Sequence, residues 1–171
     1  MVETSASSGF PMAVAYCHLN GWNGLKRDRQ KVFDMLIKIE KEMNGYHWAQ
    51  RMLGYCYEYG YGADKDNKKR SEYYSLSAEQ GNSLAMVSLG YSHQEALETT
   101  ENKIKALEWY EKSAKAGDSM AIHNVGFYYH RGWGGLNKDL NKAKEWYRKA
   151  VAQGSTLAQT ELDTLNAQED N

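Results

Sequence analysis

The chain has 171 residues, 42% hydrophobic and 25% charged, which is enough apolar material to bury a core and too much for a disordered chain. Lysine and arginine number 21 against 22 acidic residues, so the net charge is −1 and no strong basic field exists to neutralise phosphates; no nucleic-acid partner is expected. No apolar run approaches the ~18 residues of a membrane span, so no membrane insertion is expected either.

Residues 1–9 form a small, polar tail without the charged-then-apolar order of a signal peptide. Together with the lack of any Asn-x-Ser/Thr acceptor, this points to a cytoplasmic location, with a secreted or periplasmic mature form left open. Proline occurs once, at Pro11, against fifteen glycines, the usage of long helices whose boundaries are marked by glycine.

An irregular first unit occupies residues 10–45. Gly21-Trp22-Asn23-Gly24-Leu25 leads to the helix cap Asp28, and Phe33, Leu36, Ile37 and Ile39 supply an apolar face before Gly45. Its second helix is expected to be about two residues longer than the later ones. More regular units then span 46–81, 82–117 and 118–154. In these, Ala49, Ala85 and Ala121 recur at intervals of 36, followed four residues on by Leu53, Leu89 and Val125, and at once by Gly54, Gly90 and Gly126. Tyr57, His93 and Tyr129 come three residues later. Spacings of three and four place these on one helical face. A glycine within a helix costs about 1 kcal/mol relative to alanine, so its recurrence implies a neighbouring helix too close for a side chain.

The second half of each unit is equally regular. Lys69-Arg70-x-x-Tyr73-Tyr74, Lys105-Ala106-x-x-Trp109-Tyr110 and Lys142-Ala143-x-x-Trp146-Tyr147 lead to the small pairs Ser77-Ala78, Ser113-Ala114 and Ala150-Val151. Large residues set against small ones let antiparallel helices interlock. Gly81, Gly117 and Gly154 then end each second helix, with Asn82, Asp118 and Ser155 as N-caps of the next first helix. Asp28, Asp66, Asn102 and Asp139 are the expected caps of the second helices. Residues 155–167 form one further helix, apolar through Ala158 and Leu162 and polar on its other side, which reads as a terminal cap of a single domain spanning 10–167; residues 168–171 are a tail.

The pattern Ala-x3-Leu-Gly-x2-Tyr-x2-Gly-x-Gly, then Asp-x2-Lys-Ala-x2-Trp-Tyr-x-Lys-Ala and a closing glycine, resembles the Sel-one-like repeat family, a relative of tetratricopeptide repeats, over about residues 10–165. Its period and the loops Gly60-Tyr61-Gly62 and Gly132-Trp133-Gly134 separate it from tetratricopeptide units of ~34 residues. The resemblance implies an all-α fold: an α-solenoid, a right-handed superhelix of antiparallel helix pairs, with about four repeats and a C-terminal capping helix. It also implies an adaptor or scaffold role. The third unit carries Ala96 and Glu98 where the loop glycines belong, so its loop must differ and its first helix is free to run on. The first unit has Ala15 for the helix glycine and His18 for the tyrosine.

Under the family geometry, first helices line a concave groove and the residue after each helix glycine points into it: Tyr16, Tyr55, Tyr91 and Phe127. Trp48, Arg51, Glu58 and Tyr59 share that face in the second unit, Leu84 and Val87 in the third, and Met120, His123, His130 and Arg131 in the fourth. Exposed aromatics with arginine suit a protein or peptide partner. The same rings packed on one another would merely stabilise the array, and both readings stay open. Trp109 and Trp146 fill the family's core positions.

Cys17 and Cys56 occupy equivalent positions on helices whose axes lie about 8–10 Å apart, beyond ordinary disulfide reach, so reduced thiols are expected. His123 and His130 have no Cys or carboxylate at ligand spacing and do not make a metal site; no cofactor is expected. Gly117-Asp118-Ser119-Met120-Ala121 looks like a nucleophile elbow, but Gly81-Asn82-Ser83-Leu84-Ala85 repeats it one unit earlier and neither follows a strand. A non-catalytic interaction adaptor is therefore the leading reading, ahead of a self-assembling homo-oligomer, and a hydrolase comes last.

Overall fold

The computed structural model describes residues 15, 18–21, 24, 26–43, 45–96 and 99–169. Tyr16, Cys17, Trp22, Leu25 and the residues before Ala15 lie outside it. No strand occurs among the described residues, and no helix is long and apolar enough to cross a membrane. The chain divides into two compact units, residues 1–80 and 81–171.

The first unit contains α1 (Arg29–Glu42), α2 (His47–Tyr59) and α3 (Asn67–Glu79). Val32, Leu36 and Ile39 of α1, on one stripe by their spacing, meet Ala49, Met52, Leu53 and Cys56 of α2 in a sealed core. The extra length of the first unit is shared between helix and turn: α1 has 14 residues against 13 in α3, and its cap Met43 precedes Gly45 by two. α3 closes on α2 through Tyr74, whose ring lies under Gly54; a Cβ there would sit 2.6 Å from Tyr74 Cδ1.

The second unit contains α4 (Ser83–Glu95), α5 (Thr100–Lys115), α6 (Ser119–Arg131), α7 (Leu140–Ala152) and α8 (Thr156–Glu169). One cluster joins Val87, Ala106, Leu107, Tyr110, Ala121, Val125 and Tyr128; a second joins Ile122, Ala143, Tyr147, Ala150, Ala158, Leu162 and Leu165. The tyrosine–glycine contact recurs, Tyr110 under Gly90 and Tyr147 under Gly126. The aromatic pairs thus divide differently from expectation. Tyr110 and Tyr147 have no exposure at all, whereas Trp109 and Trp146, expected in the core, are half-buried with Lys112 and Lys149 over their rings; Trp146 still packs against both cores of this unit, and Trp109 against neither. Neighbouring helical positions point about 100° apart, so only one ring of each pair lies under the glycine, the tyrosine's.

Each buried tyrosine hydroxyl finds a partner on the preceding first helix: Tyr74 donates to Glu58 and Tyr110 to Gln94 at 3.2 Å, while His130 Nδ1 lies 3.4 Å from the Tyr147 hydroxyl. Ser77 and Ser113, sealed in the same register, donate to the His47 and Ser83 carbonyls. Those small residues therefore tie α3 to the first turn of α2 and α5 to that of α4, giving each carbonyl a second donor as well as making room.

The expected caps are in place for α1 at Asp28, α3 at Asp66, α4 at Asn82, α6 at Asp118 and α7 at Asp139, and the Ser155 hydroxyl accepts from Ala158 N. Asn102 is a correction. α5 begins three residues earlier, capped by Thr99, whose hydroxyl accepts from Asn102 N. The missing loop glycines explain this. Gly60 and Gly132 close α2 and α6 in the left-handed region, and Gly62 and Gly134 then lie against α1 and α5, where a Cβ would meet Arg29 O at 2.6 Å or Lys103 O at 3.1 Å. Ala96 instead takes an extended conformation, φ −62° and ψ 148°, so α4 stops at its normal length and the freed residues extend α5. Thr99→Ala is expected to cost about 1 kcal/mol and Asn102→Ala a few tenths; urea denaturation followed by circular dichroism separates them.

Candidate partner-binding site

The surface that first helices offer is set by which of their faces the cores consume. On α4 and α6 the landmarks Ala85 and Ala121 are sealed, while Leu84 and Met120, one residue earlier, are 47% and 46% exposed. On α8, Leu157 precedes the sealed Ala158 and is 57% exposed. Three large apolar side chains thus occupy one repeat position on three successive first helices of this unit. Trp48 holds the same position on α2, half-buried against the core of the first unit.

Tyr91 lies seven residues beyond Leu84 and Phe127 seven beyond Met120, two turns along the same face. Tyr91 stands edge-on to Tyr110 at 5.7 Å and stays partly exposed. Phe127 is half-buried, edge-on to Trp133 at 5.4 Å, with the exposed Arg131 guanidinium 5.3 Å from its ring. Their rings therefore pack on their own unit and still present an edge to solvent.

In the first unit, Tyr55, Tyr59 and Tyr61 form a cluster with centroids 4.5 to 5.9 Å apart, and the Arg29 guanidinium lies 4.0 Å over Tyr61. Tyr59 is the exposed member. Burial, then the neighbouring Tyr61, raises the Tyr55 hydroxyl above its usual range. Arg51 is half-buried, its guanidinium donating to Met52 Sδ at 3.3 Å.

Two predicted groove residues are corrected. Val87 is sealed in the core with Ala121 and Val125, and His123 is buried against Tyr147. Each stands three residues after the exposed leading position, Val87 turned into the cluster shared by its own pair and α6, His123 onto Tyr147 of its own pair. His130 is only half-buried, between the Tyr147 hydroxyl and the Glu161 carboxylate at 3.8 Å. Leu157 escaped sequence reading, although its place before Ala158 repeats Leu84 before Ala85. Tyr16 lies outside the described residues.

Burial pushes the Cys56 thiol up to about 12, so it carries no thiolate at neutral pH. Among the described residues, no three His, Cys, Asp or Glu side chains converge as a metal site requires.

The Sel1 repeat signature matches residues 12–36, 49–82, 83–118 and 119–155. The crystal structure of a protective antigen present in uropathogenic Escherichia coli strains, displaying an SLR fold, superposes with a TM-score of 0.80 at 31% identity, over 92% of this chain and 33% of that one. A Sel1 repeat protein from Oxalobacter formigenes superposes with a TM-score of 0.77 at 30% identity, over 88% of this chain and 60% of the other. The chain thus spans about a third and three fifths of these two structures. No curated protein sequence matches it. With four matched repeats, paired helices and the glycine–tyrosine contact repeated in each regular pair, the chain is an all-α solenoid that belongs to the Sel1 repeat family.

Proposed function

We propose that the chain is a non-catalytic interaction module that holds an apolar segment of a partner protein against the exposed faces of its first helices. Interaction scaffolding is typical of Sel1 repeats. The observation that carries the reading for this chain is the row Leu84, Met120 and Leu157, one repeat position left apolar and exposed on three helices, with Tyr91 and Phe127 beside it. Exposed apolar side chains in register mark interaction surfaces, whereas isolated ones do not.

Peptides selected from a random display library on the 171-residue chain are expected to carry large apolar residues. Their affinity should fall on the order of a hundredfold for Leu84→Ser/Met120→Ser/Leu157→Ser, since covering three such side chains is worth several kcal/mol before ordering costs. Helicity should not change. Equal affinity of the triple variant would remove this face from the function. A mass that rises with concentration in sedimentation, and that the triple variant abolishes, would instead identify a second copy as the occupant.

A further inference from the structure

Where α8 docks, the second unit conceals two imidazoles. Ala158, Leu162 and Leu165 of α8 pack on Ile122 of α6 and on Ala143, Tyr147 and Ala150 of α7. Beside this contact His123 is 6% exposed, its ring stacked on Tyr147 at 5.4 Å and 27°. Its Nδ1 lies 3.3 Å from Asn124 Oδ1, and its Nε2 is sealed without a hydrogen-bond partner. Two turns along α6, His130 Nδ1 faces the Tyr147 hydroxyl at 3.4 Å and the Glu161 carboxylate of α8 at 3.8 Å.

With Nδ1–H donating to Asn124, a neutral His123 leaves only a bare acceptor in the seal. A second proton would add a charge and a donor where no acceptor waits, the costliest kind of burial. The groups facing the pair are Tyr147 from α7 and Glu161 from α8, with Arg131 and Lys138 acting on His130. Burial keeps the Tyr147 hydroxyl neutral, its value held above the usual range. Glu161 favours the charged form of both histidines, but burial outweighs it and holds both below the ordinary imidazole value.

We propose that α8 is an acid-released element: protonation of the sealed His123 opens its contact with α6 and α7 and uncovers Ile122, Leu162 and Leu165, against the pull of a charged His130 on Glu161. The opening is local because α6 and α7 also pack closely on each other, whereas α8 rests chiefly on α7; such singly supported elements open before the rest of a fold. Docked α8 binds fewer protons than the open form. Its stability is therefore complete above the free imidazole value near ~6.5 and falls as pH drops through that value toward the depressed ones. Release would also take Leu157 out of the exposed row; that consequence rests on the binding reading above, while release itself does not.

Amide hydrogen exchange on the 171-residue chain from pH 7.5 to 5.5, corrected for the intrinsic rate, tests this without any partner. Protection across α8 is expected to fall by up to about tenfold per pH unit below ~6.5 as the His123 imidazole is released, while α4 and α5 keep theirs. His123→Phe, which retains the stack on Tyr147, should remove most of the fall; His123→Gln serves the same purpose should the phenylalanine not fit. Unchanged protection of α8 over the range, or the same fall in His123→Gln/His130→Gln, would overturn the proposal.

Discussion

Gly90→Ala is expected to destabilise the second unit by about 3 kcal/mol, although alanine is the better helix former by about 1 kcal/mol. The added Cβ would enter the ring of Tyr110, with Cδ1 only 2.7 Å and Cζ 2.8 Å away. Tyr110 is itself sealed between Tyr91 and Tyr128, so the ring has no room to withdraw. Denaturant unfolding measures the loss. Adding Tyr110→Leu should recover part of it, because the shorter side chain leaves space for the methyl group; a Gly90→Ala chain as stable as the parent would refute the close approach.

The second large effect separates two adjacent aromatics. Tyr110→Ala should cost about 3–5 kcal/mol, since it empties a fully buried site and leaves the Gln94 side chain with one hydroxyl fewer, Tyr128 remaining at 3.3 Å. Trp109→Ala should cost about 1 kcal/mol, the loss of a half-buried ring and of the Lys112 ammonium 4.1 Å above it. Equal losses in thermal or urea unfolding would return the tryptophan to the core that sequence reasoning assigned it.

These two residues mark how far the fold was legible. The helix boundaries follow from local chemistry: Asp66, Asn82, Asp118 and Asp139 each cap through their own side chains, and Gly81, Gly117 and Gly154 take φ of 85° to 87° within one turn of chain. Such features need no distant partner, so spacing reveals them. Which of Trp109 and Tyr110 faces Gly90 is instead a question of helix rotation against a neighbour, and both residues are large and apolar enough to answer it. Thr99 took the cap from Asn102 for a similar reason: the absent loop glycines were visible, but whether α4 or α5 would gain the spare residues depends on where Ala96 turns extended.

The candidate site was legible in outline only. Tyr55, Tyr59, Tyr91, Phe127 and Arg131 retain surface, whereas Val87 and His123 were assigned to the groove by a rule that resolves a helix into two faces. A helix in a stacked array has three: one toward its own pair, one toward the next repeat and one toward solvent. Val87 lies between the first two of these, and His123 meets Tyr147 on the first.

Leu84 beside Ala85, Met120 beside Ala121 and Leu157 beside Ala158 carry a consequence for how such a chain changes over generations. In each pair the alanine has no exposure and the apolar residue before it is about half open. Inherited changes at the open letter leave the interlocking of helices untouched, while changes at the sealed one are purged with the fold. A lineage can therefore respell its outer row one codon at a time, each spelling tried on an unaltered frame.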